Sequence, residues 1–138
     1  MALSNNVKKI IAKYDAIINI SVGNSRRSKS WKTKSMSWSS LVQRLSITKY
    51  TNETMSEFRR MSKDRQDDIK DIGGFVGGVL KGGRRTATNI GDRQLITLDA
   101  DYADPQFWDM LTMFSDYACC VYSTHKHTSE NPRLRLVI

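Results

Sequence analysis

Short apolar runs along the N-terminal half alternate with segments in which apolar residues recur at the one-face spacing of a helix. The run Ala16–Val22 is rich in β-branched residues and too short for a typical helix, so it predicts a strand. Ser37 is a suitable N-cap for a helix that begins with Trp38. A second helix is predicted from Glu53 to about Arg65. The inward-facing residues of these two helices are Trp38, Leu41, Val42 and Leu45, and Met55, Phe58 and Met61.

The C-terminal half carries clearer signals. Gln94–Asp99 is an apolar run that predicts a buried strand, and Tyr117–Thr124 and Arg133–Ile138 predict two more strands. Asp104 and Pro105 suit the N-cap and first position of an intervening helix. This order predicts an α/β (α+β) fold, with a mixed sheet flanked by helices. The expected buried stripe of the helix is Phe107, Trp108, Leu111 and Phe114.

Three glycine pairs punctuate the middle of the chain, in the sequence IGGFVGGVLKGGRR. The spacing of a Walker phosphate loop and that of a dinucleotide fingerprint are both missing, so the glycines indicate turns and close backbone approach. Phe75–Leu80 still predicts a short strand. The loop after it would then present the basic residues Lys81, Arg84 and Arg85.

The net charge of the 138 residues is +8, and it is unevenly distributed. Residues 1 to 60 hold twelve Lys or Arg and three acids, whereas residues 91 to 138 hold four and seven. A basic N-terminal half suits a polyanion such as nucleic acid, although a solvated cationic face is the simpler alternative. The candidate nucleic-acid-binding residues are Arg26, Arg27, Lys29, Lys32, Lys34 and Trp31. The tryptophans could instead anchor their loop to the core.

The cysteines and the hydropathy of the sequence indicate the cellular compartment of the protein. Cys119 and Cys120 are adjacent within an apolar segment, so we expect reduced core residues and no disulfide between them. No apolar run approaches the roughly 20 residues that span a bilayer, and the first residues do not resemble a signal peptide. We therefore expect a cytoplasmic protein with no membrane partner.

The sequence LITLDAD offers the first candidate chemistry. Side chains alternate along a strand, so Asp99 and Asp101 are expected on one face. Two nearby carboxylates favour Mg²⁺ or Mn²⁺, which completes its coordination with water and substrate phosphate. The alternative is a polar turn that simply ends the strand.

The sequence YSTHKH offers a second candidate for chemistry. Ser123 and His125 are also two residues apart at a strand end. If the two strands are parallel neighbours, these residues share a pocket with Asp99 and Asp101 and donate to a triphosphate. Histidine as an ordinary surface residue is the alternative, and a zinc pair of His125 with His127 is less favoured because no cysteine follows at ligand spacing.

Together, LITLDAD and YSTH resemble motifs one and two of the archaeo-eukaryotic primase superfamily. The wider string DIGGFVGGVLKGGRR, RQLITLDAD, FWD and YSTHKHTSENPRLRLVI resembles the primase-polymerase domain at the N-terminus of phage and mobile-element replication proteins, including the virulence-associated E type. The similarity covers most of the chain, from ISVGNSRRSKSW onward. It implies one domain over 1–138, with a basic αβ unit to about residue 90 and the start of a catalytic sheet from about residue 91.

The resemblance also implies residue roles. Asp99 and Asp101 match metal-binding aspartates of the first motif and, with His125, would be catalytic. Ser123 and His125 match nucleotide-contacting residues of the second. The basic residues that the resemblance assigns to phosphate or template contact are Lys81, Arg84, Arg85, Arg133 and Arg135.

The expected function is metal-dependent, template-directed nucleotidyl transfer, with a DNA template and a nucleoside triphosphate as partners and a helicase as a further candidate. The family has a third acidic motif on a later strand, and the sequence stops at Ile138 before such a strand. We therefore expect a front portion of the domain. The alternative is an inactive, truncated phage protein that binds nucleic acid or a host ribonucleoprotein, for example to inhibit a defence complex in the bacterial cytoplasm.

Overall fold

A computed structural model describes residues 8–114 and 116–138. Over these residues the fold is mixed α+β, as the sequence predicts. The helices are α1 (Trp38–Leu45), α2 (Met55–Arg60), α3 (Lys63–Ile69) and α4 (Phe107–Phe114). The strands are β1 (Ile17–Gly23), β2 (Lys32–Ser37), β3 (Gly74–Val76), β4 (Gly78–Leu80), β5 (Ile90–Arg93), β6 (Thr97–Ala100), β7 (Cys120–Ser123) and β8 (Leu134–Val137). No helix of this described part is long and apolar enough to cross a membrane.

The strands form three small sheets, ordered β2-β1-β3, β4-β5 and β6-β8-β7. Every pairing is antiparallel, whereas the sequence led us to expect one mixed sheet. Glycine pairs explain part of the difference, because they separate the predicted strand Phe75–Leu80 into β3 and β4, which join different sheets. Among the described strands, β1 and β8 each have a neighbour on both sides.

One core joins the first sheet, α1 and the third sheet. Its buried members are Ile18, Ile20, Trp38, Leu41, Leu95 and Val137. Ile18 and Ile20 are two apart on β1, so they face the same side of the sheet. Cys120 packs against this core, and its burial raises the pKa of its thiol to about 11. Both cysteines are free thiols, as expected, but both are half-buried rather than fully buried core residues.

Helix α1 begins as predicted. The Oγ of Ser37 accepts a hydrogen bond from the backbone N–H of Ser40 at 3.1 Å, and Trp38 and Leu41 are buried. The predicted helix from Glu53 to about Arg65 is wrong as a single element, because Met61 is extended between α2 and α3. Each piece has its own N-cap, and the cap of α3 is the hydroxyl of Ser62.

Two burial predictions in the C-terminal half are also wrong. The strand expected over Gln94–Asp99 is observed at Thr97–Ala100, on an edge of its sheet, and Leu98 is 50 % exposed. Trp108, which we placed on the buried stripe of α4, is 52 % exposed. Phe107 and Leu111, one turn apart on α4, are half-buried instead. The side chain of Phe114, the last predicted member of the stripe, lies outside the described residues.

Candidate functional site

Two aspartate–arginine pairs lie on the sheet β6-β8-β7. Asp99 of β6 is opposite Arg135 of β8, and the Oδ1 of Asp99 lies 2.6 Å from the Nε of Arg135. One step beyond the paired register, the Oδ1 of Asp101 lies 3.3 Å from a terminal guanidinium nitrogen of Arg133. The structure therefore pairs the two predicted metal-binding carboxylates with two of the predicted phosphate contacts.

Tyr122 completes a row across the three strands. It is opposite Arg135 on β7, as Asp99 is on β6, and the guanidinium carbon of Arg135 lies 6.0 Å from the Tyr122 ring centroid. Burial raises the pKa of the Tyr122 phenol, and the hydrogen bond with Arg135 offsets part of that effect. The row holds the guanidinium between a carboxylate and an aromatic ring, which restricts the positions that Arg135 can take.

The predicted neighbourhood of β6 and β7 is wrong. Both strands run antiparallel to β8, so they are parallel to each other, but β8 lies between them and separates them by about 10 Å. Ser123 is opposite Leu134, which in turn is opposite Ala100. Because side chains alternate, Ser123 and Asp99 lie on opposite faces of the sheet. Sequence spacing fixes the face within a strand, but the relation between strands depends on their pairing.

His125 lies against α2 and the loop before it. Its Nε2 is hydrogen-bonded with the Oγ1 of Thr51 at 3.2 Å, and its ring centroid lies 4.2 Å from that of Phe58. Its Nδ1 is buried and has no hydrogen-bond partner in the structure. The Nδ1 of His127 accepts the backbone N–H of Arg133 at 3.3 Å. The two histidines thus have separate neighbours.

A cleft of about 540 Å³ opens beside Asp99 and Arg135. We call it the arginine cleft, after Arg85, Arg93 and Arg135, which line it together with Asp99. The rest of its lining comes from the β3–β4 region, the 3-10 turn before β5, and β6: Phe75, Val76, Gly77, Leu80, Thr86, Ala87, Ile90 and Thr97. Three guanidinium groups beside one carboxylate give a cationic pocket suited to an anionic ligand.

The basic residues of the loop after β4 differ in whether they line the arginine cleft. Arg85 lines the arginine cleft, whereas Lys81 and Arg84 are exposed and are not among the side chains that line it. Arg93 lines the cleft and was missed by sequence reasoning. Nothing in the sequence around Arg93 marks it, because its position depends on the pairing of β4 with β5. Tyr122 was missed for the same reason.

Trp31 supports Arg85. Its side chain is 5 % exposed, and the guanidinium carbon of Arg85 lies 5.3 Å from its ring centroid. The backbone N–H of Trp31 donates to the oxygen of Gly83 at 2.7 Å, and Gly83 has a φ of 66° that other residues rarely adopt. A Cβ on Gly23 would lie 2.6 Å from the Trp31 ring. This burial favours the anchoring alternative for Trp31 over base stacking.

The other candidate nucleic-acid-binding residues divide into two groups. Lys29, Lys32 and Lys34 are exposed, the last two on the edge strand β2. Arg26 and Arg27 form ion pairs with α3, at 3.1 Å to Asp67 and 2.9 Å to Asp68 respectively. The first group is free to meet a polyanion, while the second also holds its loop against α3.

The donor chemistry of Asp99 and Asp101 fits a divalent cation of the Mg²⁺ type, which commonly takes one or two protein carboxylates together with phosphate and water. Their side chains are 59 % and 60 % exposed and thus accessible. A cation would compete with Arg135 and Arg133 for their oxygens. The described residues contain no group of three or more His, Cys, Asp or Glu arranged to hold a metal.

Comparison with known proteins gives one match. The family model of the VapE N-terminal domain matches residues 3–138. A search of curated proteins and a search of solved structures each returned no match. Because the match spans nearly the whole sequence, the chain belongs to the VapE N-terminal domain family.

Proposed function

We propose that the chain is the nucleotide- and nucleic-acid-binding part of a metal-dependent primase-polymerase, which acts in replication of a phage or mobile element in the bacterial cytoplasm. The observation that carries this proposal is the arginine cleft, in which Arg85, Arg93 and Arg135 surround a pocket beside the Asp99 carboxylate. The resemblance of LITLDAD and YSTH to primase motifs supports it. So does membership of the VapE N-terminal domain family.

In this proposal the arginine cleft binds the triphosphate. Arg85 and Arg93 contact phosphate oxygens, because guanidinium groups match phosphate geometry with paired N–H donors. Asp99 engages the Nε of Arg135, whose guanidinium has further N–H donors to offer. Bound Mg²⁺ or Mn²⁺ would neutralise phosphate charge and polarise the phosphoryl oxygen. Asp99 and Asp101 would hold that ion, and the exposed lysines of β2 would hold the DNA template.

Nucleotide binding tests the cleft directly. With a fluorescent nucleoside triphosphate, we expect Arg85→Ala to weaken binding about tenfold, which corresponds to the loss of one charge-assisted contact. Arg84→Ala is a sharp comparison, because it removes the same charge from the next position of the loop, outside the cleft. Equal effects of the two substitutions would refute the cleft assignment. Arg44→Ala on α1 controls for the change in net charge.

Incorporation tests the chemistry. Nucleotide addition on a single-stranded template in the presence of Mn²⁺ should be lost in Asp99→Asn and retained in Asp92→Asn, an exposed acid of β5. Loss in both variants, or in neither, would contradict a role for Asp99 in holding the metal. A DNA-dependent helicase would be the natural partner of such an activity.

A second candidate function is nucleic-acid binding without catalysis, including binding to a host ribonucleoprotein of a defence system. The ion pairs of Asp99 with Arg135 and of Asp101 with Arg133 favour it, because each carboxylate already has a cation. Nucleic-acid binding that is unchanged in a double Asp99→Ala, Asp101→Ala variant, together with no incorporation by the parent protein, would select this candidate over the first.

A further inference from the structure

Three cations converge on the carboxylate of Asp67, a residue of α3. The Oδ1 of Asp67 lies 2.9 Å from the Nζ of Lys63 and 2.8 Å from the Nζ of Lys70, and its Oδ2 lies 3.1 Å from Arg26. Hydrogen bonds from Lys70 and Lys63 hold the pKa of Asp67 well below its usual range. Asp68 belongs to the same group, because its Oδ1 lies 3.9 Å from Arg26 and 2.9 Å from Arg27, and Asp71 accepts the backbone N–H of Arg26 at 2.7 Å. Four cations (Arg26, Arg27, Lys63 and Lys70) thus face three carboxylates, and the group keeps an excess of one positive charge.

Lys126 adds a fifth cation from the turn after β7. Its Nζ lies 5.8 Å from the ring centroid of Phe58, the buried aromatic residue of α2, which directly precedes α3. Among the described residues, no carboxylate lies within ion-pair distance of Lys126. Desolvation lowers the pKa of Lys126, the charges of Lys70, Lys63 and Arg133 lower it further, and the single carboxylate of Asp67 offsets only part of their effect. The surrounding potential is therefore positive, and an anion bound there would relieve the repulsion.

This cluster is continuous with the aspartates of the third sheet. Arg133, one of the cations that act on Lys126, is the ion-pair partner of Asp101. The hairpin between β7 and β8 carries Lys126 on one side and Arg133 on the other, and the N–H of Thr124 donates to the carbonyl of Arg133 across it. A chain of phosphates along the cluster would thus pass close to Asp101.

We propose that Lys63, Lys70 and Lys126 form a binding site for the phosphate backbone of nucleic acid, separate from the arginine cleft. We call it the lysine site. The chemistry favours a polyanion over an acidic protein surface. Phe58, the aromatic residue beneath Lys126, is fully buried, so it adds no exposed apolar contact of the kind found at the centre of protein interfaces. Lysine ammonium groups on flexible stems are suited to repeated phosphates as point charges.

The lysine site does not require that the protein be a polymerase, since it would serve either candidate function. It also differs from the arginine cleft in its ligand, which is a strand rather than a triphosphate. The two proposals can therefore be tested separately. Nucleic-acid binding tests the lysine site, and triphosphate binding tests the arginine cleft.

The test is the salt dependence of binding to labelled DNA of 20 nucleotides, in single-stranded and double-stranded arms. Lys126→Glu would place a carboxylate among Lys63, Lys70 and Arg133, so we expect it to fold. Each phosphate contact accounts for about a threefold loss of affinity between 50 and 200 mM salt. The Lys126→Glu variant should therefore bind the DNA more weakly than the parent protein at 50 mM salt. Its loss of affinity between 50 and 200 mM salt should be about threefold smaller than the loss in the parent protein. The DNA that shows this effect, single-stranded or double-stranded, is the form that the lysine site binds.

Lys9→Glu is the matched control. Lys9 is exposed near the N-terminus, and its substitution by Glu changes the net charge by the same amount as Lys126→Glu. If Lys126→Glu does not fold, Lys126→Gln is measured instead, alone and together with Lys63→Gln. These variants remove one and two positive charges, so the salt dependence of DNA binding should fall stepwise. The proposal is overturned if these variants behave like Lys9→Glu in both arms, or if affinity falls with an unchanged salt dependence. Triphosphate binding should stay at the parent value, and an equal loss there would indicate a general structural defect and also overturn it.

Discussion

The Arg85 guanidinium lies against the Trp31 ring, 5.3 Å from its centroid, and this contact connects the loop before β2 with the arginine cleft. Arginine side chains have many rotamers, so a fixed aromatic surface reduces the entropy lost when the guanidinium binds an anion. Under the proposed function, Trp31 would be a positioning residue and Arg85 the residue that contacts the triphosphate.

Substitution of Trp31 should therefore change triphosphate affinity. We expect Trp31→Phe to keep most of the binding, because a ring remains beneath Arg85. Trp31→Leu should lose about two- to fivefold, in line with a partly exposed cation–π contact of about 0.5–1 kcal/mol. The readout that separates positioning from simple destabilisation is a double-mutant cycle with Arg85→Ala. If Trp31→Leu weakens binding as much in the Arg85→Ala background as in the parent, the two residues act independently.

The pairing of Arg135 with Asp99 leads to opposite effects on two ligands. Arg135→Gln removes a cation from the arginine cleft and leaves Asp99 without its partner. We expect weaker triphosphate binding without metal and tighter Mn²⁺ binding, the latter by about two- to fivefold because exposed ion pairs contribute at most about 1 kcal/mol. Titration calorimetry with Mn²⁺ alone measures the second effect. Unchanged Mn²⁺ binding would show that Arg135 does not compete for Asp99.

Acid should destabilise the protein partly through Asp67. Hydrogen bonds from Lys70 and Lys63 lower the pKa of Asp67 in the folded protein below the ordinary value of 3.8. Its stabilising contribution is complete above that value and is lost as the pH falls below it, because the unfolded chain then binds the proton more readily. Asp67→Asn should thus show a smaller fall in melting temperature between pH 5 and pH 2.

Asp71 and Glu57 also have lowered pKa values and act in the same direction, so the acid effect should shrink in Asp67→Asn without vanishing. Asp109→Asn on α4 is a control outside these ion pairs. A parent-like loss of stability in Asp67→Asn over this pH range would contradict the prediction.

A buried hydroxyl joins β1 to β4. The N–H of Leu80 donates to the Oγ of Ser21 at 3.0 Å, and Ser21 is fully buried. Ser21→Ala would leave that N–H without a partner, which costs about 1–3 kcal/mol of unfolding free energy. Urea denaturation measures the loss. Ser35→Ala, which removes an exposed hydroxyl bonded to Asn19, should change stability much less, and equal losses would contradict the assignment.

Local features of the fold could be predicted from sequence. The N-cap at Ser37, the buried Trp38 and Leu41, and the packing of Cys120 all follow from residue type and short-range spacing. The division of one predicted helix at Ser62 is also local, and it was missed because apolar spacing continues across the break. A second capping residue inside an apolar period is the signal that would have found it.

Relations between distant segments could not be predicted. The insertion of β8 between β6 and β7 places Ser123 and Asp99 on opposite faces, although each strand was recognised. The position of Arg93 in the arginine cleft depends in the same way on the pairing of β4 with β5. Strand order is set by packing over the whole chain, and short motifs carry no information about it.

The central position of β8 has a consequence for how the protein is made. Synthesis proceeds from the N-terminus, so β6 and β7 leave the ribosome before the strand that joins them. The bond from Arg135 to Asp99 spans 36 residues, and the buried Val137 must reach a core that includes Ile18 and Ile20. The third sheet, and the part of the core that Val137 fills, therefore stay incomplete until residues 134–137 are available. During translation this is the interval in which we expect the nascent chain to need a chaperone.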